Sequence, residues 1–107
     1  NVVDDPELCS FVVPAIVRRG DIVISISTSG KSPILAKRIR EKVESCIGPE
    51  YEYLAEMLGA LRDEIKAKYE DSAERKLAYQ RILDSEVLEL LTQGRHEEAF
   101  ERARKCI

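Results

Sequence analysis

The chain has 107 residues, with 17 Lys and Arg against 20 Asp and Glu and a formal net charge of −3. Acids and bases are interspersed, which argues against nucleic acid as a partner, since such a domain usually carries a basic excess. No apolar run approaches the ~20 residues of a membrane span, and no signal-peptide pattern opens the chain.

There is no Trp; Phe11, Phe100 and four Tyr supply the aromatic bulk, so a core must rest on Ile, Val, Leu and Ala. A chain this short buries a modest fraction of its surface, and further burial in a dimer would help it. Cys9, Cys46 and Cys106 are odd in number and lack paired spacing. They suggest neither a disulfide framework nor a metal site, and read as reduced thiols of a cytoplasmic protein. The chain opens at Asn1, without Met and inside an extended apolar pattern, which reads as a fragment or a processed product.

Asn1-Val2-Val3-Asp4-Asp5-Pro6 reads as a strand end running into a turn, because Pro6 biases Asp5 away from helix. Such strand ends are where open α/β sheets place ligands; equally, these acids are ordinary loop residues. Phe11 to Arg18 is rich in β-branched residues, and Pro14 makes it an edge or bulged strand. After a turn at Arg19-Gly20-Asp21, residues 21–28 alternate, with Ile22, Ile24 and Ile26 on one face. The two segments form a predicted hairpin.

Ser32 is a fitting N-cap and Pro33 a fitting first helical residue. The helix that follows places Leu35, Ile39, Val43 and Cys46 on one expected buried stripe. Gly48-Pro49 stops it. A second helix is expected from Glu50 to Tyr69, using Leu54, Leu58, Leu61 and Ile65. A third, capped at Asp71-Ser72, carries Leu77, Ala78 and Ile82. A fourth, after Asp84-Ser85, carries Val87, Leu88, Leu90 and Leu91 and ends at Gly94. The last spans Glu97 to Cys106 around Ala99, Phe100 and Ala103. The fold class is therefore α+β: a strand end and a β-hairpin arm followed by a bundle of about five helices. The expected domains are 1–10, a strand end; 11–47, hairpin plus helix; and 48–107, helical.

The loop Ser27-Thr28-Ser29-Gly30-Lys31-Ser32 ends in Gly-Lys-Ser. A phosphate-wrapping P-loop needs a further Gly five residues before Gly30, and Ser25 stands there. A strand leading through a hydroxyl-rich turn to a helix N-terminus can still favour an anion through amides, dipole and the Lys31 charge. His96 is the only histidine, and one imidazole is too little for a metal centre. An apolar two-stranded hairpin is not stable alone, and its edges invite pairing. Exchange between two subunits is the expectation, with Ile24→Asp breaking the dimer.

Three segments carry a resemblance: Asn1-Val2-Val3-Asp4, Ser10-Phe11-Val12-Val13-Pro14-Ala15, and Ile24-Ser25-Ile26-Ser27-Thr28-Ser29-Gly30-Lys31-Ser32-Pro33-Ile34-Leu35-Ala36. In order and spacing they resemble the precorrin-2 dehydrogenase / sirohydrochlorin ferrochelatase (siroheme synthase) family. Arg38, Arg40-Glu41-Lys42 and Glu44-Ser45 extend the likeness; beyond Cys46 it is to the family's looser helical region.

The resemblance implies that residues 1–10 end a Rossmann domain and that 11–47 form a homodimerisation segment. It implies NAD-dependent oxidation of precorrin-2 to sirohydrochlorin, with Fe2+ as a second substrate in members that chelate. It makes Asp4 the catalytic carboxylate and residues Ser27, Thr28, Ser29, Gly30, Lys31 and Ser32 a tetrapyrrole-binding loop. The family's glycine-rich NAD fingerprint has no counterpart in this sequence, so NAD is expected to be bound by an N-terminal half outside this chain. Two other readings remain open: a non-catalytic helical dimerisation module, and a phosphate-binding module built on Gly30-Lys31-Ser32.

Overall fold

The structure, a computed structural model, describes residues 13–107. It is α+β: a two-stranded antiparallel sheet followed by six helices among the described residues. Two compact units divide between Gly48 and Pro49. Asp4, the strand end at 1–10 and the start of the predicted first strand lie outside the described residues.

In the first unit, β1 (Ala15–Arg19) pairs with β2 (Ile22–Ile26), with Val17 opposite Ile24 and Arg19 opposite Ile22. Pro14 stands immediately before β1, where its missing N–H disrupts no ladder. The connection is the two-residue loop Gly20-Asp21, and Gly20 sits at φ +63°. A Gly at the first position of such a loop supplies the twist that matches the strands.

Helix α1 (Pro33–Cys46) packs on one face of this hairpin. That face carries Ala15, Val17, Ile22, Ile24 and Ile26, and Val17 is 1% exposed. Ile24 therefore points at α1 in its own chain, so Ile24→Asp would damage the unit itself. The opposite face presents Ile16 and Val23, both exposed.

The α1 stripe differs from the expected one. Ala36 is buried and Arg40 and Val43 are half-buried, while Leu35, Ile39 and Cys46 are exposed. Small Ala36 lets the helix approach the strands. The larger apolar residues lie round the helix from the hairpin.

In the second unit, the expected helix from Glu50 to Tyr69 is two helices, α2 (Glu50–Ala60) and α3 (Arg62–Lys68), broken at Leu61. The break follows Gly59, the poorest helix former in the stretch. It allows Leu61 and Ile65 both to enter the core. Helix α4 (Ser72–Asp84) begins at Asp71, whose carboxylate accepts from the Ala73 amide at 3.0 Å. Helices α5 (Val87–Thr92) and α6 (His96–Lys105) pack together, joined through Gly94 at φ +79°.

The core is Leu54, Met57, Leu61, Ile65, Ala78, Ile82, Val87, Leu91, Ala99 and Ala103. Leu77, expected in it, is exposed. The end of α6 is tied down by Arg81, which donates to the Cys106 carbonyl at 2.8 Å, and by Lys68, which donates to that of Ile107 at 2.7 Å. No helix among the described residues is long and apolar enough to cross a membrane.

Candidate functional site

The loop at 27–32 bridges β2 and α1, and its own side chains close it. The Lys31 amide donates to the Thr28 carbonyl at 3.1 Å across Ser29 and Gly30. Both central residues have positive φ, +58° and +79°, the signature of a type I′ turn. Gly30 adopts this freely, but a Ser in the left-handed region costs of order 1–2 kcal/mol. Such a residue persists only where its surroundings over-determine it, commonly at binding sites. Here the Ser29 amide donates to Ser27 Oγ at 3.1 Å, the Ser32 amide to Thr28 Oγ1 at 3.0 Å, and the Thr28 hydroxyl to the Ser32 carbonyl at 3.3 Å. Ser32 Oγ then caps α1 by accepting from the Leu35 amide at 3.1 Å.

These bonds leave a definite set of donors. A hydroxyl that accepts one bond can still donate, so Ser27 and Ser32 retain their O–H, as does exposed Ser29. The amides of Gly30 and Ile34 make no hydrogen bond among the described residues, and the Lys31 ammonium is exposed. The arrangement suits carboxylate or phosphate oxygens lying against the outside of the loop. The crevice beneath it, between Ile26, Thr28, Pro33 and Ala36, holds only about 30 Å³, room for a water and little more.

The structure does not form a P-loop here. Ser25, where the first Gly would stand, is a β2 residue opposite Ile16, and Pro33 removes the first amide of α1. The same two facts make it a poor cradle for a dinucleotide.

The arginines beside the turn separate. Arg19 is half-buried; its Nε donates to the Ile47 carbonyl at 2.7 Å and one terminal nitrogen to that of Glu44 at 3.2 Å. It is spent on the end of α1, whose own last turn has no basic residue. Arg18 is exposed on the other face of the hairpin. His96 packs edge-on against Tyr53, ring centroids 4.5 Å apart. No group of three or more metal-ligating side chains occurs among the described residues.

One electrostatic feature disappears in whole-chain counting. The first unit, residues 1–48, holds seven Lys and Arg against six Asp and Glu, one cation in excess. Residues 49–107 hold ten against fourteen, four acids in excess. The loop thus sits on a nearly neutral unit, and the acidic excess of the chain lies on the helical one.

Comparison with known proteins fits this division. The family model described as sirohaem synthase dimerisation region matches residues 50–105, and that described as sirohaem biosynthesis protein central matches residues 19–45. A siroheme synthase from Ruthia magnifica is 41% identical over 99 residues, 92% of this chain and 21% of that protein. One from Thioalkalivibrio sulfidiphilus is 38% identical over 107 residues, 100% of this chain and 22% of that protein. The chain thus spans about a fifth of the length of these curated relatives. Among solved structures, a protein titled SirC, precorrin-2 dehydrogenase, superposes with a TM-score of 0.67 at 27% identity, over 87% of this chain and 46% of that one. The chain belongs to the sirohaem synthase family, matching its dimerisation region and its central region.

Proposed function

We propose that this chain, within a longer cytoplasmic protein, builds part of the tetrapyrrole site of siroheme biosynthesis. The reaction is the NAD-dependent oxidation of precorrin-2 to sirohydrochlorin, followed in chelating members by Fe2+ insertion. The observation that carries this reading is the strained, self-braced loop at 27–32, with hydroxyl, amide and Lys31 donors facing outward. A macrocycle rich in carboxylates matches those donors. NAD is assigned to residues outside this chain.

Asp4 is the proposed catalytic base. Oxidation requires a proton to leave substrate carbon as a hydride departs, and metal insertion requires two pyrrole N–H protons to leave as Fe2+ enters. A carboxylate beside the macrocycle serves both. Iron is a substrate here, with the tetrapyrrole nitrogens as its acceptor.

The exposed Ile16 and Val23 on the outer hairpin face support a homodimer through the segment at 11–47. The match of the helical unit to a dimerisation region supports a homodimer as well. That match also favours a second reading, a non-catalytic dimerisation module.

Anaerobic absorbance assays of the longer protein, with precorrin-2 and NAD and then with sirohydrochlorin and Fe2+, separate the two. Loss of both reactions in Asp4→Asn, with the dimer intact, is the expected result. Unchanged rates would leave only the dimerisation module.

A further inference from the structure

Helix α1 leaves a face uncovered that carries both apolar side chains and cations. Ile34 is 73% exposed and Leu35 50%, and Ile39 beside them is also exposed. Arg38 and Lys42 follow Ile34 at successive four-residue steps, which places all three on one ridge. Lys31 stands just before that ridge, at the turn. The order along the surface is cation, apolar patch, cation, cation, with the exposed acid Glu41 beside Arg38 on the same face, over roughly 12 Å of helix from Ile34 to Lys42. None of Lys31, Arg38 and Lys42 forms a salt bridge among the described residues, whereas Arg40, on the hairpin side, lies 3.9 Å from Glu44.

We infer that this face of α1 is a second element of the tetrapyrrole site: Ile34 and Leu35 contact the flat macrocycle, and Arg38 and Lys42 hold carboxylates on its rim. The inference rests on the tetrapyrrole reading and extends it from the loop onto the helix. Charge complementarity selects the occupant. An apolar disc ringed by carboxylates satisfies both the exposed aliphatic residues and the cations around them. Burial under a purely apolar partner would leave the cations desolvated and unpaired, which is costly. The face also continues directly from the loop donors, since Ile34 supplies both an open amide and an exposed side chain.

Fluorescence titration of the longer protein tests this with three stable porphyrins carrying eight, four and no carboxylates. Affinity is expected to fall in that order and to weaken with added salt. Exposed charge pairs contribute modestly, so Arg38→Gln with Lys42→Gln should weaken the eight-carboxylate porphyrin about tenfold. Ile34→Ser should weaken it without changing the salt dependence. Lys76→Gln, on the other unit, controls for net charge and should change little.

Equal binding by wild type and the double variant overturns the inference alone, leaving the loop and Asp4 untouched. No binding of the eight-carboxylate porphyrin by wild type counts against the tetrapyrrole reading itself. A change in oligomeric state by light scattering in Ile34→Ser or the double variant would assign the face to a second copy and also overturn the inference.

Discussion

Thr28 and Ser32 clasp each other across the turn: the Ser32 amide donates to Thr28 Oγ1 at 3.0 Å, and the Thr28 hydroxyl donates to the Ser32 carbonyl at 3.3 Å. This reciprocal pair fixes the loop on the helix that follows. Thr28→Val keeps the shape and removes both bonds. It should cost about 1–2 kcal/mol, measured by urea unfolding, and should raise KM for the tetrapyrrole more than it lowers kcat.

Arg19 reaches from β1 to the carbonyls of Glu44 and Ile47, supplying the cation that the last turn of α1 lacks. Arg19→Met should lose about 1–2 kcal/mol through these hydrogen bonds and the helix dipole. Amide exchange should quicken selectively in the last turn of α1. Porphyrin affinity should stay unchanged, because this guanidinium is already engaged; a large drop would place Arg19 in the binding site.

Ile82 is wholly buried in the helical core, whereas Leu77, on the same helix, is about half exposed. Ile82→Ala should destabilise by about 2–5 kcal/mol through lost burial and a cavity. Leu77→Ala should fall within about 0.5 kcal/mol of wild type. Equal losses in thermal unfolding would contradict this packing.

Glu98 titrates below the usual carboxylate range because Arg95 hydrogen-bonds it, Nε to Oε1 at 2.8 Å, and adds its charge. A lowered folded-state pKa contributes stability above the unfolded carboxylate value and loses it as pH falls through the folded value. Both side chains are exposed to solvent, so the effect is small. Wild type should therefore unfold slightly later than Glu98→Gln at neutral pH. The two curves should converge in acid, in thermal scans run across the carboxylate range at low salt.

Much of the fold is legible in the chain because its signals are local. Gly20-Asp21 between alternating β-branched residues specifies a two-residue hairpin, and Ser32-Pro33 specifies a helix start, through backbone preferences that need no distant partner. Asp71 caps α4 for the same reason. The composition of the loop at 27–32 marks it as an anion-friendly turn, although its internal bonds and the left-handed Ser29 are visible only in three dimensions. Asp4 owes its role to the resemblance alone, and it lies outside the described residues.

The order and type of the elements, with the turns and caps between them, follow from each residue's own backbone and neighbours. Which faces are covered depends on packing between elements. Leu35 and Ile39 have the spacing of a core stripe, yet Ala36 and Val43 meet the hairpin and the larger residues face outward. Helical periodicity records that a face is apolar without recording what lies against it. The same limit hid the employment of Arg19 and the break at Leu61, because both depend on residues brought together by packing rather than by sequence.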